Sequence, residues 1–167
     1  MAGELTFVAV SQDDPLAAPL LAELAVEYAE RYSGDMARIL AWLRGYPAEE
    51  FAPPGGGLVI GLSSADAAHP RGQPVTGGAF RRFDSETAEL KRIWTDSAHR
   101  RHGYAKALLA ELEARIAMCG YRRVYLTTGD RQPEAEALYL SAGYVRLEEP
   151  LPSERDVYPL AFLKELA

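Results

Sequence analysis

The sequence is poor in cysteine and has no long apolar run. Cys119 is the single cysteine among 167 residues, which excludes an intramolecular disulfide and is typical of a reducing compartment. No apolar stretch approaches the ~20 residues that a membrane-spanning helix needs. Residues 1–4 also lack the basic and apolar layout of a signal peptide. We therefore expect a cytoplasmic protein that has no membrane partner.

Positive charge is also scarce, since the net charge is −6. This balance disfavours broad binding to nucleic acid, so no nucleic-acid partner is expected. The histidines and Cys119 do not have the spacing of metal ligands, and we expect no metal. Hydrophobic residues make up 48% and charged residues 25%, which are ordinary values for a globular chain. At this length we predict one domain over residues 1–167.

Hydrophobic periodicity predicts an α/β domain. Strands are predicted near 5–10, 58–62, 74–83, 86–95, 124–128, 144–147 and 157–163, and helices near 19–32, 36–43, 103–118 and 133–143. The strand, helix, strand order makes 88–95 and 124–128 parallel neighbours. We therefore expect a mixed, mostly antiparallel sheet of six or seven strands flanked by about four helices. Pro159, within the last predicted strand, indicates a bulge or a sheet edge.

A candidate anion site precedes the clearest helix, in the stretch Arg100-Arg101-His102-Gly103-Tyr104-Ala105. The first turn of a helix leaves backbone N–H groups without partners, and the helix dipole adds positive charge there. Glycine allows the backbone to approach a ligand closely. Together with the charges of Arg100, Arg101 and Lys106, these features predict a diphosphate site.

At these residues the chain resembles the GNAT superfamily of acyl-CoA-dependent N-acyltransferases, because Arg100, Gly103 and Ala105 match its Arg/Gln-x-x-Gly-x-Gly/Ala pattern. Two further matching segments, 134–139 and 142–144, follow in the family's order. The resemblance covers roughly residues 75–163 well and the N-terminal third in outline. It implies a single GNAT-like domain that uses acetyl-CoA as co-substrate. The acceptor would be a small-molecule or peptidyl amine that attacks the thioester directly in a ternary complex.

Tyr139 and Gln132 are seven residues apart and therefore point to one side of a helix. By the resemblance, Tyr139 lies near the thioester sulfur, contacts the cofactor and protonates the leaving thiolate. The alternative is a core tyrosine whose hydroxyl only finds a partner. Gln132 stands where many relatives have an asparagine that contacts pantetheine. This departure keeps the amide donors and acceptor, although Gln132 also suits a helix start.

Glu89 interrupts a strand that should be nearly all apolar at the centre of an α/β sheet. The charge predicts that this part of the strand lines a cleft. The resemblance implies that the carboxylate acts as a base, directly or through water. The alternatives are an ion pair with Lys91 or Arg92, or an exposed strand end.

Two further segments complete the predicted site. Ile93, Trp94 and Thr95 align with the family segment whose backbone pairs with pantetheine like an added strand, and the Trp94 side chain is expected to pack. Arg31 and Tyr32 belong to the region that shapes the acceptor pocket in similar proteins. Helix-face charge and core packing explain these two residues equally well.

A non-catalytic acyl-CoA-binding regulatory module is the alternative function, since it would keep the same anion loop. A nucleotide-binding domain ranks last, because the loop lacks the G-x-G-x-x-G fingerprint and a P-loop lysine motif. The sequence leaves open the acceptor, the acyl chain length and the choice between a monomer and a homodimer.

Overall fold

The computed structural model describes residues 5–32, 35, 37–40, 48–99, 103–129, 133–153 and 159–166. Seven strands lie in these ranges: β1 (Thr6–Ala9), β2 (Gly57–Leu62), β3 (Pro74–Arg82), β4 (Thr87–Thr95), β5 (Arg123–Thr128), β6 (Val145–Leu147) and β7 (Leu160–Glu165). The helices are α1 (Ala18–Tyr32), α2 (described over 37–40), α3 (Tyr104–Met118) and α4 (Pro133–Ser141). Short 3-10 helices cover Pro15–Ala17, Ala48–Phe51 and Ser97–His99. None of the helices in the described ranges is long and apolar enough to cross a membrane.

The strands form one sheet in the order β1-β2-β3-β4-β5-β7-β6. The β4–β5 pair is parallel and every other neighbouring pair is antiparallel, which confirms the predicted mixed, mostly antiparallel sheet. The expectation that Pro159 lies inside the last strand is wrong. Pro159 directly precedes β7, which is an interior strand bonded to β5 and β6. Proline therefore sits where its missing N–H costs no ladder hydrogen bond.

An apolar core covers each face of the sheet. The core under α3 and α4 includes Leu90, Leu108, Leu112, Leu126, Tyr139 and Phe162. The core under α1 includes Leu20, Leu24, Phe51, Ile60 and Trp94, with Ile39 and Leu40 of α2 packed against it. We call these sides the α3/α4 face and the α1 face. A sheet covered on both faces explains why its strands read as apolar runs.

Glycines end the two long C-terminal helices, as the sequence predicted. Gly120 and Gly143 have φ angles of 94° and 95°, values that glycine adopts without a side-chain penalty. After α4, the Gly143 N–H donates to the Leu140 carbonyl at 3.1 Å and the Tyr144 N–H donates to the Tyr139 carbonyl at 3.0 Å. This pattern is a Schellman motif. It fixes the last turn of α4, which carries Tyr139.

Candidate active site

The two parallel strands at the centre of the sheet separate after three paired positions. Pairing joins Thr87–Glu89 of β4 to Arg123–Tyr125 of β5. β4 then continues to Thr95 and β5 to Thr128, with no further pairing between them in the part of the chain that the structure describes. We call the resulting gap the split. A strand edge without a neighbouring strand is suited to pair with an extended ligand.

A β-bulge reshapes β4 beside the split. Gly77 of β3 faces Trp94 but Ala79 faces Lys91, so β4 carries one extra residue between these pairs. Arg92 lies in the bulge with a φ angle of +57°, which is uncommon for a residue with a side chain. Its guanidinium lies 4.8 Å from the centre of the Phe51 ring and hydrogen-bonds the Gln12 side chain. The bulge therefore turns Arg92 toward the α1 face.

Glu89 occupies the last paired position of β4 and is only 7% exposed. Its Oε1 accepts a hydrogen bond from Nε of Arg81 at 3.0 Å, and its Oε2 lies 3.7 Å from Nζ of Lys91. Arg81 is 2% exposed and donates from Nη1 to Oε2 of Glu50 at 3.1 Å. The ion-pair interpretation of Glu89 is thus confirmed for Lys91. The sequence did not predict that Arg81 pairs with Glu89, or that Glu50 contacts Arg81.

Tyr139 lies on the other face of the sheet, against Phe162, whose register partner Leu126 follows the last β4–β5 pair. It is buried in the α3/α4 core together with Leu90 and Leu126, the residues that directly follow the last β4–β5 pair. Its ring contacts those of Tyr144 and Phe162 at centroid distances of 5.8 and 5.6 Å. The hydroxyl makes no hydrogen bond to any residue in the described ranges, and burial raises the pKa of Tyr139 well above its usual value. Glu89 and Tyr139 therefore lie on opposite faces of the sheet near the end of the β4–β5 pairing.

The start of α3, where the sequence predicts an anion site, is described from Gly103 onward. Gly103 is exposed in the left-handed region with φ 77°, and no side chain among the described residues caps the helix. Lys106 is exposed and Ala105 is half-buried. The Tyr104 side chain is 7% exposed and packs near His99, with ring centroids 6.3 Å apart. His99 in turn contacts Oδ2 of Asp96 through Nδ1 at 2.6 Å.

The side chains of the predicted pantetheine-pairing segment are engaged in packing. Ile93 packs into the α3/α4 core, while Trp94 is buried in the α1-side core. Thr95 Oγ1 lies 3.2 Å from Thr76 Oγ1. The Trp94 Nε1 group is buried without a hydrogen-bond partner among the described residues, which costs about 1–3 kcal/mol. The backbone is therefore what this segment presents to the split.

Several predicted site residues lie outside the described residues. These are Arg100, Arg101, His102 and Gln132. Arg31 and Tyr32 end α1, and nothing is described of their side chains. Their predicted roles in cofactor and acceptor binding stay predictions.

Known proteins share both the sequence pattern and this architecture. The sequence model of the Acetyltransferase (GNAT) family matches residues 20–144. The chain belongs to the GNAT family. No curated protein matches the sequence.

Solved structures of GNAT proteins have the same fold. A Staphylococcus aureus acetyltransferase of the GNAT family is 16% identical with a TM-score of 0.76, over 98% of this chain and 100% of that one. A candidate acyl-CoA N-acyltransferase of Klebsiella pneumoniae is 24% identical with a TM-score of 0.72, over 98% of each chain. An Elizabethkingia anophelis GNAT acetyltransferase with acetyl-CoA bound is 15% identical with a TM-score of 0.62, over 97% of this chain and 98% of that one. At these identities the likeness establishes the fold.

Proposed function

We propose that this GNAT protein transfers an acetyl group from acetyl-CoA to a small-molecule or peptidyl amine by direct attack in a ternary complex. The observation that carries the proposal is the split beyond the Glu89–Tyr125 pair, with Glu89 on one face and Tyr139 on the other. A ligand passing through the split would meet a carboxylate on one side and a phenol on the other. Membership of the GNAT family and the acetyl-CoA bound to a structural neighbour support the choice of co-substrate.

In the proposal, acetyl-CoA binds along β4 and the start of α3. The pantetheine arm pairs with the backbone of Ile93, Trp94 and Thr95, and Gln132 contacts it from the start of α4. The diphosphate lies at the start of α3, where Gly103 permits close approach and the first turn of a helix leaves N–H groups without intrahelical partners. Arg100, Arg101, His102, Tyr104, Ala105 and Lys106 complete this binding segment.

The acceptor amine has to lose a proton before it attacks. An alkylamine with a pKa near ~10.4 is mostly protonated at pH 7, a handicap of roughly 4–5 kcal/mol. We assign the base to Glu89, acting directly or through a water. Its Oε1 is held by Arg81, whereas its Oε2 lies toward Lys91 on the part of β4 that borders the split. Arg31 and Tyr32 are proposed to contact the acceptor.

The amine nitrogen then bonds to the thioester carbon, the C–S bond breaks and CoA leaves as a thiolate. Tyr139 is proposed as the acid that stabilises this thiolate. Its raised pKa keeps the hydroxyl protonated at neutral pH. Full transfer to a thiol of pKa near ~8.5 is uphill by at least about 2 kcal/mol from a phenol at or above ~10. A hydrogen bond from the hydroxyl to the thiolate is therefore the main effect.

The test combines cofactor binding with turnover. Calorimetric titration with CoA and acetyl-CoA should show binding, and an amine panel should reveal acetyl-CoA-dependent release of free thiol with an acetylated product detected by mass spectrometry. The absence of CoA binding by folded protein would overturn the proposal. Binding without thiol release for any amine would favour the regulatory module instead.

A further inference from the structure

We propose that Arg81 is a positioning residue that holds the Glu89 carboxylate at the split. The inference rests on the proposed function, because it concerns how the proposed base is oriented. Arg81 of β3 and Glu89 of β4 are direct partners in the antiparallel register. Both side chains are buried, and Nε of Arg81 donates to Oε1 of Glu89 at 3.0 Å.

The two carboxylate oxygens of Glu89 have different partners. Oε1 is occupied by the rigid guanidinium of Arg81. Oε2 is 3.7 Å from Nζ of Lys91, beyond ordinary hydrogen-bond length, and lies toward the segment of β4 that leaves β5. A guanidinium fixes a carboxylate more precisely than an ammonium does, because its donors are planar and pre-organised. Arg81 thereby directs Oε2 toward the acceptor.

Energetics make a purely stabilising role a poor explanation for this buried pair. Removing two charges from water costs several kcal/mol per ion, and apolar replacements of buried pairs are often neutral or stabilising. Arg81 also donates to Glu50 at 3.1 Å, so a single buried cation bridges two carboxylates. The Glu50 contact also attaches the Ala48–Phe51 turn to the sheet. Loss of this attachment has to be distinguished from loss of the Glu89 orientation.

The test is a double-mutant cycle in the full chain with acetyl-CoA and the best amine acceptor found. Arg81→Met should lower kcat about 10-fold or more at neutral pH and leave the CoA dissociation constant within about 2-fold. The loss should shrink as pH rises, as for Glu89→Gln, because both variants lack an oriented base. Arg81→Met/Glu89→Gln should be no slower than Glu89→Gln alone, since residues that act as one unit are non-additive.

Two control variants separate positioning from tethering. Arg82→Gln changes the adjacent exposed arginine on the same strand and should retain wild-type kcat. Glu50→Gln weakens the tether of the Ala48–Phe51 turn but keeps the Arg81–Glu89 contact, and should retain most of kcat. If Arg81→Met does not fold, Arg81→Lys takes its place in the same cycle. Lysine keeps the charge but not the planar, pre-organised donors, so a loss of about 10-fold is still expected.

The positioning role of Arg81 and the proposed acetyl transfer can fail separately. Losses that multiply in the double variant, or a Glu50→Gln loss equal to that of Arg81→Met, would overturn the positioning role and leave the proposed function standing. A wild-type protein that acetylates no amine would overturn the proposed function and this inference together.

Discussion

The two faces of the sheet differ in chemistry at the point where β4 and β5 separate. On the α1 face, Glu89 and Arg81 form a buried ion pair that the half-buried Glu50 and Lys91 extend into a chain of charges. On the α3/α4 face, Tyr139 is surrounded by apolar and aromatic side chains. Near the end of the β4–β5 pairing, Glu89 thus has charged neighbours, whereas Tyr139 has apolar and aromatic ones.

This difference corresponds to the two proton demands of the proposed reaction. Deprotonating an ammonium group needs a carboxylate in a fixed position. The Arg81 guanidinium holds the Glu89 carboxylate in place and partly neutralises its charge. A departing thiolate is best served by a preorganised, neutral hydrogen-bond donor aimed at the developing charge. Each demand has its own face, so substitutions on the two faces should produce different kinetic signatures.

The largest effect is expected for Glu89→Gln on the charged face. Glutamine keeps the shape but cannot accept a proton, so turnover at neutral pH should fall ~10²-fold or more. The loss should diminish as pH rises, because more of the amine is then neutral without help. The measurement is thiol release as a function of pH, with Glu86→Gln in the same hairpin as the control. An unchanged pH–rate profile would assign Glu89 to structure.

Tyr139→Phe should produce a somewhat smaller loss on the apolar face. The variant keeps the ring contacts with Tyr144 and Phe162 and removes the hydroxyl. We expect kcat to fall by about 10²-fold, the lower end for a general acid, while CoA affinity changes little. Unlike the Glu89 variant, it should show a similar loss at every pH in the neutral range.

Steady-state thiol release beside direct CoA titration tests this signature. Tyr121→Phe is a matched control, since it removes a hydroxyl that donates to the Gly55 carbonyl at 2.7 Å. Equal kcat in Tyr139→Phe and wild type would remove Tyr139 from the mechanism. A parallel loss of CoA affinity would make it a binding residue.

A third substitution should weaken CoA binding and leave the proton transfers on both faces of the sheet unchanged. Gly103 has a φ angle of 77° at the start of α3, and valine in the left-handed region is strained by roughly 1–2 kcal/mol. Gly103→Val should therefore lower CoA affinity about 10-fold and leave the pH dependence of kcat unchanged. Calorimetry with CoA checks the affinity. Tight CoA binding by the variant would place the diphosphate elsewhere.

Local sequence patterns predicted the elements that depend on local physics. Alternation predicted the strands, and glycines predicted the ends of α3 and α4, because both signals act within a few residues. The parallel β4–β5 pair followed from the strand, helix, strand order. Tyr139 and Glu89 were predicted as site residues from the family resemblance together with an out-of-place charge in a central strand, and their roles stay predictions.

The missed features depend on contacts between distant parts of the chain. Arg81 meets Glu50 and Glu89 across separate elements, so its role depends on strand register and not on its neighbours in sequence. The bulge at Arg92 likewise appears only when β4 is aligned with β3. The expectation for Pro159 failed because a proline just before a strand and one inside an edge strand look alike in sequence.

The smallest predicted effect concerns stability at alkaline pH and again compares the faces. Burial raises the pKa of Tyr139 and Tyr144 on the α3/α4 face, and that of Tyr125 between β4 and β7. Glu113, which accepts a hydrogen bond from the Tyr144 hydroxyl, raises the pKa of Tyr144 further. A tyrosine whose pKa is higher in the folded state than in the unfolded state stabilises the fold fully below the unfolded value.

That contribution is lost as pH rises from ~10 toward the folded pKa, because only the unfolded chain releases the proton there. Each such tyrosine lowers the free energy of unfolding by up to about 1.36 kcal/mol per pH unit in this window. The urea midpoint of the protein should therefore fall above pH ~10, and should fall less steeply in Tyr139→Phe. Tyrosinate absorbance, with nine tyrosines in the chain, gives an independent measurement. Identical titration curves for folded and urea-unfolded protein would show that the α3/α4 face is open to water, and with it that Tyr139 does not act from an apolar site.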